Sequence, residues 1–406
     1  MNPSYQPVSG RFVVASPARD PVDSNARALA NHGLLRFSAL GTRRGVEGVP
    51  AELTHLNPKI GLVAYLGVRL LSPFQAESFR FRLHPWFDRW VLKQMQPGDH
   101  ILSSFGFTNR TFQFVREHGG KTFYSAGNSH PENFWEIITE EHRRWNCPYP
   151  PIAPHQHERA MTMMPLTDYV LSPSSFVTRS FLARGFRPEQ ILRNVYPVDL
   201  DCFKPPVTPR PANRPLTVIA PGGLCLRKGT PYLLEAFRQV LKTVPNARLV
   251  LNRSVQDNVR PVFEKNSDLP IDWHPGLPHP ELAELMRACD ILVLPSLEDG
   301  FARTVTEGLA CGLPVITTPN TGASDFIVPG QNGEIVPIRD SAAIAEAVLK
   351  WHEKILARPA GSQVAFDARR VSFEHFENDF LEQLAGTGLL RRSSPCSAIP
   401  SASQPS

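Results

Sequence analysis

ILVLPSLEDGFARTVTEGLACGLPVITTP, Ile291–Pro319, decides how the chain is read. Four apolar residues run without alternation into Pro295 and Ser296. An unbroken apolar run bounded by turn residues fits a strand covered on both faces, as in a parallel sheet. Asp299-Gly300-Phe301 has turn chemistry. A helix is expected around 303–311, and PVITTP (Pro314–Pro319) is again a strand. Strand, helix and strand in succession make a βαβ unit.

The same alternation spreads outward. PLTVIAPG (215–222) is an apolar run ending at glycine. Leu233, Leu234, Phe237, Val240 and Leu241 follow, spaced as one helix face. ARLVLN is a strand after the turn residues Pro245 and Asn246, and IDWHPG is a short strand. PELAELMRACD is a helix with Pro280 suited to its first turn. GEIVP is a strand, and 341–355 is helical. These elements predict a Rossmann-like domain. The N-terminal half repeats the pattern with RFVVASP, LLRFSAL, HILSSF, KTFYSAG and YVLSPS as strands. A helix is expected from near Ser24 as its N-cap. FWEIITEEHRRW is amphipathic, with acids early and bases late, as the helix dipole favours. The expected class is α/β, with two facing Rossmann-like domains. Ligands of such sheets bind beyond the carboxyl ends of the strands, here in the cleft between the domains.

Composition agrees. A chain of 406 residues suggests two domains. The 42% hydrophobic content supports real cores and excludes a disordered chain. Proline is abundant, 40 residues against 26 glycines. Each proline fixes φ and removes a donor, which argues against a long helical bundle. PPVTPRPANRP (205–215) holds five prolines and is the best linker. The tail from Ser393, small, polar and Pro-rich, is expected to be disordered.

Residues 1–200 carry 22 basic and 16 acidic residues, and the remainder 21 and 22. The mildly basic half suits an anionic substrate or a membrane surface. No basic run with interleaved aromatics exists, so nucleic acid is not an expected partner. The six cysteines, Cys147, Cys202, Cys225, Cys289, Cys311 and Cys396, form no CxxC pair, and reduced thiols are expected. No signal peptide or transmembrane run is read, so a cytoplasmic protein is expected.

Two loops carry the chemistry. In the first, Asp299 sits in a turn before a helix, whose N-terminal N–H groups form an anion site. Glu307, on that helix, can accept two hydrogen bonds from a diol. Carboxylates suit sugars and ribose because they only accept. The blander reading is a capping Asp and a solvated Glu. In the second, Gly222-Gly223 and Arg227-Lys228-Gly229 lie between the first strand of this domain and its first helix. Glycines let the backbone approach a ligand, and two cations can neutralise a diphosphate. The blander reading is a basic turn. Neither GxGxxG nor GxxxxGK[ST] is present, which disfavours a nicotinamide dehydrogenase and a P-loop.

Taken together, strand–GG–x3–RKG–helix and then PS–x2–DGF–x5–EG–x2–CG–PV resemble the retaining glycosyltransferases of family 4, with an LRKG-type phosphate loop. YVLSPSSFVTRSFLARGF and NVYPVDLDCFKP resemble that family's segments leading into the linker. The resemblance is clear over about 160–340 and implies the GT-B architecture. It implies that Asp299 and the N–H groups of Gly300, Phe301 and Ala302 contact the donor sugar and phosphate. It further implies that Glu307 holds the ribose, that Arg227 and Lys228 hold the diphosphate beside Gly222 and Gly223, and that His130 bonds a donor hydroxyl. The family's usual first acid is Glu; here it is Asp299, with Glu298 beside it.

The implied activity is metal-independent, retaining transfer of a hexosyl-type group from a nucleotide-sugar, UDP- or GDP-linked, to a glycan, lipid or small-molecule acceptor. The nucleotide-sugar is a co-substrate, and no cofactor or metal is expected. Asp199-Leu200-Asp201 is formally a DxD, and His155 and His157 lie in a Pro-rich stretch expected to be a loop; neither set is expected to bind metal. The alternatives are a sugar-nucleotide epimerase or hydrolase of the same fold, and a non-catalytic nucleotide-sugar-binding protein. The expected organisation is an acceptor-side domain over 1–204, a linker over 205–215 and a nucleotide-sugar domain over 216–352. Helices over 353–390 are expected to pack back on the N-terminal domain, and 391–406 is the tail. Peripheral contact at the inner face of a membrane is a further expectation.

Overall fold

Unbroken apolar runs become the buried strands of two parallel sheets. The computed structural model describes residues 5–18, 22–71, 73–148, 150, 152–207, 214–274, 276–357 and 362–392. The chain opens with β1 (Tyr5–Pro7) and then builds β2 (Phe12–Ser16), β3 (Leu35–Leu40), β4 (Thr54–Leu56), β5 (His100–Ser103), β6 (Thr122–Ser125), β7 (Tyr169–Ser172) and β8 (Ile191–Arg193). β2 to β8 form a seven-stranded sheet in the order β4-β3-β2-β5-β6-β7-β8, parallel throughout. After the Pro-rich segment come β9 (Thr217–Ala220), β10 (Arg248–Leu251), β11 (Ile271–Trp273), β12 (Ile291–Leu294), β13 (Val315–Thr317) and β14 (Gly333–Ile335). They form a second parallel sheet, β11-β10-β9-β12-β13-β14. Both sheets reverse direction of growth after their third strand, the doubly wound order. The switch points fall between β2 and β5 and between β9 and β12.

Helices cover both faces of each sheet, so every residue of β2, β5, β6 and β12 is buried. The C-terminal unit has one continuous core, into which the helix Ser341–Leu356 inserts Trp351. The N-terminal sheet has a core on each face. One is completed by the last helix, Phe373–Gly386, through Phe376, Phe380, Leu381 and Leu384. Beyond it, β15 (Leu390–Arg392) pairs antiparallel with β1, so the two ends of the described chain close one ribbon.

Prolines have a use that the sequence reading assigned only to Pro280. Pro58, Pro85, Pro131, Pro154, Pro231, Pro261 and Pro280 each stand in the first positions of a helix. There the missing N–H would have had no helical partner, and φ is already suitable. The helix expected to start at Ser24 begins at Val22, so Ser24 lies inside its first turn. Helices at Pro58–Leu70, Pro73–Arg82, His84–Leu92, Asn109–Glu117 and Pro154–Met163 were not foreseen. The last holds His155 and His157, read above as loop residues. Within the proposed linker, 208–213 lie outside the described residues, as does the tail 393–406.

The two units meet at a polar seam. Ser175 N and Oγ both donate to the Asp325 carboxylate across it. The larger knot is Glu141, fully buried on the helix Pro131–Arg144. Its carboxylate accepts from Trp145 Nε1 (2.8 Å) on its own side, and from Tyr232 OH (2.8 Å) and Arg339 Nε (2.7 Å) on the other. A buried carboxylate is tolerated only when paired and hydrogen-bonded in this way. Burial and then the Glu141 bond push the Tyr232 phenol up to about 12, so it remains a donor. Glu141→Ala strands three donors at once. It is expected to lose about 3–5 kcal/mol in denaturant unfolding, with Glu141→Gln losing less.

Candidate active site

The loops after β9 and β12 flank the switch point of the second sheet and carry the predicted residues. After β9, Gly222 adopts φ +119°, open only to glycine, while a side chain at Gly222 or Gly223 would meet open space. Gly222 N donates to Asn252 Oδ1 at 2.9 Å. Arg227 and Lys228 occupy a short 3₁₀ turn closed by Gly229 at φ +69°. A Cβ on Gly229 would lie 2.1 Å from the Pro295 carbonyl oxygen. Close approach of the two loops therefore depends on Gly229, not on Gly222 or Gly223.

The loops lock together. Leu297 N donates to the Arg227 carbonyl at 2.9 Å. Arg227 Nη1 donates to the Glu298 carbonyl at 2.8 Å and pairs with its carboxylate at 3.4 Å. Lys228 Nζ forms an ion pair with Asp299. Burial works to raise the Asp299 carboxyl; the Lys228 and Arg227 charges outweigh it and hold it below its ordinary value. Burial pushes Glu298 up, against Arg227. The structure thus brings Arg227, Lys228 and Asp299 together and adds Glu298, which the sequence reading had noted only as a neighbour. Phe301 is buried, and its N–H is donated to the Asp299 carboxylate. Ala302 sits at φ +62° and begins the helix Arg303–Ala310, a left-handed geometry that costs a non-glycine residue about 1–2 kcal/mol.

The N-terminal unit reaches into the same place. Ser129 N donates to Glu298 Oε1 at 2.8 Å, and Ser174 Oγ donates to the Gly300 carbonyl at 2.7 Å. A Cβ on Gly300 would fall 2.2 Å from the Gly127 carbonyl oxygen. Beside Gly127 lies Phe105, just beyond β5 at the first switch point and itself at φ +49°. Strain of this kind gathers at functional sites. The only prior sign of Phe105 was its place at the end of the strand HILSSF.

His130 follows Ser129 directly. It caps the helix Pro131–Arg144, its Nδ1 accepting from Glu132 N at 3.2 Å. Its own N–H donates to Ser180 Oγ at 2.9 Å, and its ring meets Phe181 edge-on. Burial, with help from Arg184, lowers it to about 4, so the ring is neutral at pH 7. With Nδ1 accepting, the remaining proton is on Nε2, a donor suited to a hydroxyl oxygen.

Glu307 stands apart from this cluster. It is buried and lines a cleft of about 650 Å³ with Asp23, Arg27, Asp199, His279 and Arg303. Burial pushes its carboxyl up to about 7, against the charges of Arg303 and Arg253. Asp199 Oδ1 accepts from the N–H groups of Asp201 and Cys202, which makes the formal DxD a turn cap. Among the described residues, no group of three or more His, Cys, Asp or Glu side chains is placed to hold a metal ion. His157 stacks on Trp135, with ring centroids 4.7 Å apart.

Over nearly the whole chain the fold is that of GT-B enzymes of known structure. The Anabaena protein Alr3699/HepE, solved with UDP-glucose, aligns with 92% of this chain and 99% of its own at TM-score 0.64 and 15% identity. The Escherichia coli trehalose-6-phosphate protein bound with UDP-2-fluoro glucose aligns with the same shares at TM-score 0.62 and 14% identity. Residues 215–354 match the family described as "Glycosyl transferases group 1", and to that family this part of the chain belongs. The putative glycosyltransferase EpsD of Bacillus subtilis is 28% identical over 171 residues, 41% of this chain and 44% of EpsD. The GDP-mannose-dependent alpha-(1-6)-phosphatidylinositol monomannoside mannosyltransferase of Mycolicibacterium smegmatis is 27% identical over 225 residues, 48% of this chain and 58% of the enzyme. The chain thus spans less than two thirds of the length of these curated relatives.

Two outcomes are expected. Gly300→Ala drives a methyl group into the Gly127 carbonyl and forces the units apart. Small-angle scattering should show a larger radius of gyration, while each unit keeps its fold. Glu307 has a folded pKa near 7 against an ordinary 4.5. The folded state therefore holds the extra proton between those values. The stability this confers is full below about pH 4.5 and is lost as pH rises through about 7, a swing of roughly 3 kcal/mol. Glu307→Gln should flatten that part of the stability–pH curve.

Proposed function

We propose that the chain is a retaining glycosyltransferase that moves a hexosyl group from a nucleotide-sugar donor to an acceptor. The observation that carries this is the interlocked set Arg227–Glu298 and Lys228–Asp299 at the switch point of a group 1 glycosyltransferase domain. The relatives named above support a donor of UDP- or GDP-sugar type. In this reading residues 216–352 hold the donor, 1–204 present the acceptor, 205–215 join the two and 353–390 tie them together. The protein acts in the cytoplasm, and its basic N-terminal half rests against the inner face of a membrane.

Departure of the nucleoside diphosphate leaves negative charge on its oxygens. Arg227 and Lys228 stabilise that charge as it develops, in a site where burial strengthens each contact. Lys228 must then exchange Asp299 for phosphate, which frees the Asp299 carboxylate to accept from a sugar hydroxyl. Gly222, Gly223 and the N–H groups of Gly300 and Ala302 line the donor's path. His130 donates from Nε2 to a sugar hydroxyl oxygen. Ionised Glu307 accepts both ribose hydroxyls, so donor affinity should rise with pH through about 7 and level off above it. Closure of the units excludes water from the transfer.

A thermal-shift screen with UDP-, GDP- and ADP-sugars identifies the donor, because a ligand of the native state stabilises it. Lys228→Ala should lower kcat by about 10²-fold or more, with turnover insensitive to chelators. Unchanged turnover removes Lys228 from the mechanism. Donor consumed without any acceptor points instead to a hydrolase or epimerase. Binding without transfer to any acceptor points to a non-catalytic protein.

A further inference from the structure

The seam between the units opens on a second cavity. It measures about 440 Å³, a volume that suits a small molecule. Three parts of the chain wall it: the edge of the N-terminal sheet at β7 and β8, the 3₁₀ turn Gly322–Phe326 of the second unit, and the returning C-terminal segment at Arg370 and Gln383. Among the described residues it shares none with the cleft that Glu307 lines.

The walls are of two kinds. Leu182, Pro188, Ile191 and Phe326 make an apolar side, and Arg193 and Arg370 make a cationic one. The Arg370 guanidinium lies 4.8 Å over the Phe326 ring, and the nearby Asp367 pairs with Arg369 instead. Stacking fixes a guanidinium plane and leaves its N–H groups to donate at the rim. Arg193 is exposed and meets Asp379, outside the cavity, at 3.5 Å. The one carboxylate among the described lining residues, Asp325, accepts from Ser175 N and Oγ with both its oxygens. Two guanidiniums thus stand against one engaged acid. A bare anion would leave the apolar wall wet, and a neutral ligand would leave Arg370 without a counter-charge. The combination fits an anion that carries an apolar body.

The cavity adjoins the loop after β12. Ser174, in its wall, is the residue that donates to the Gly300 carbonyl. Phe326 meets Phe301 edge-on, with ring centroids 6.1 Å apart, and the Phe301 N–H serves the Asp299 carboxylate. A ligand that touches both units binds best when they stand together, so it favours the closed seam. We propose that this cavity is an effector site for a small anion with an apolar body, an organic phosphate or carboxylate, held by Arg193 and Arg370. Its occupation strengthens donor binding; that part rests on the donor reading above, whereas binding of the anion does not.

The test is calorimetric titration of the full chain with phenyl phosphate and with benzoate, which separate phosphate from carboxylate. One of them should bind saturably, about tenfold or more tighter than inorganic phosphate or benzyl alcohol. Arg193→Gln with Arg370→Gln should weaken that binding about tenfold or more, and since both side chains are exposed the fold should be kept. Saturating UDP-glucose or GDP-mannose, whichever the screen above selects, should tighten the anion about fivefold or more, and the anion should tighten the donor by the same factor. No saturable binding of either anion below about 20 mM overturns the proposal. So do undiminished binding by the double variant and displacement of the anion by donor, which would put it in the cleft. Equal donor affinity with and without the anion overturns the coupling. If no nucleotide-sugar binds while the anion still does so through Arg193 and Arg370, the transferase reading fails and the site stands.

Discussion

Glu298 has no exposed surface, and the arrangement of the site follows from satisfying it. A buried carboxylate is costly unless every lone pair finds a partner. Here Arg227 supplies charge from one side, and the backbone of Ser129 supplies an N–H from the other unit. The same residue therefore aims Arg227 and fixes where the loop carrying His130 must stand. Gly300 makes the arrangement possible. Its missing side chain lets the Gly127 carbonyl come within contact distance, and its own carbonyl accepts from Ser174. Electrostatics demands the closure, and a glycine permits it.

The seam is polar, and this bears on motion. Glu141 with Arg339 and Tyr232, Ser175 with Asp325, and Glu298 with Ser129 are directional bonds, and water can replace them when the units part. A greasy seam of equal area would resist opening, because apolar surface returned to water costs about 25 cal/mol per Å². The apolar tie is kept elsewhere. The helix Phe373–Gly386 buries Phe376 and Phe380 against the N-terminal sheet, and so the two units stay tethered whichever way the cleft stands.

Much of the second unit was legible from its residues because its signals are local. Apolar runs such as ILVL, glycines and a cation pair between strand and helix each depend on neighbours within about ten positions. The charged cluster between the loops after β9 and β12 was legible for the same reason, down to Arg227, Lys228 and Asp299. The first unit was less legible. Helices over 58–92 and 154–163 mix exposed leucines, histidines and prolines, so no single buried stripe marks them. His130 followed by Pro131 and Glu132 did carry a helix-start signal, which the structure uses as a cap. Glu298 left none, since its partner Ser129 lies 169 residues away.

The sequence by itself determined the α/β class with two Rossmann-like units, the six strands of the second sheet and the loops that carry charge, because burial periodicity and turn chemistry are read within single segments. Only the tertiary structure decided what those charges do. Burial pushes Glu307 to about 7, while Lys228 holds Asp299 low, although both are carboxylates, one in the loop after β12 and one on the helix that follows it. Protonation depends on the surrounding dielectric and the nearest opposite charge, and those are set by chain segments far apart in sequence. For the same reason the leucines of Leu62–Leu70 lie at the surface in the fold. Which face of a helix is buried depends on what Gly61 and Gly67 meet, and that is known only once the chain has folded.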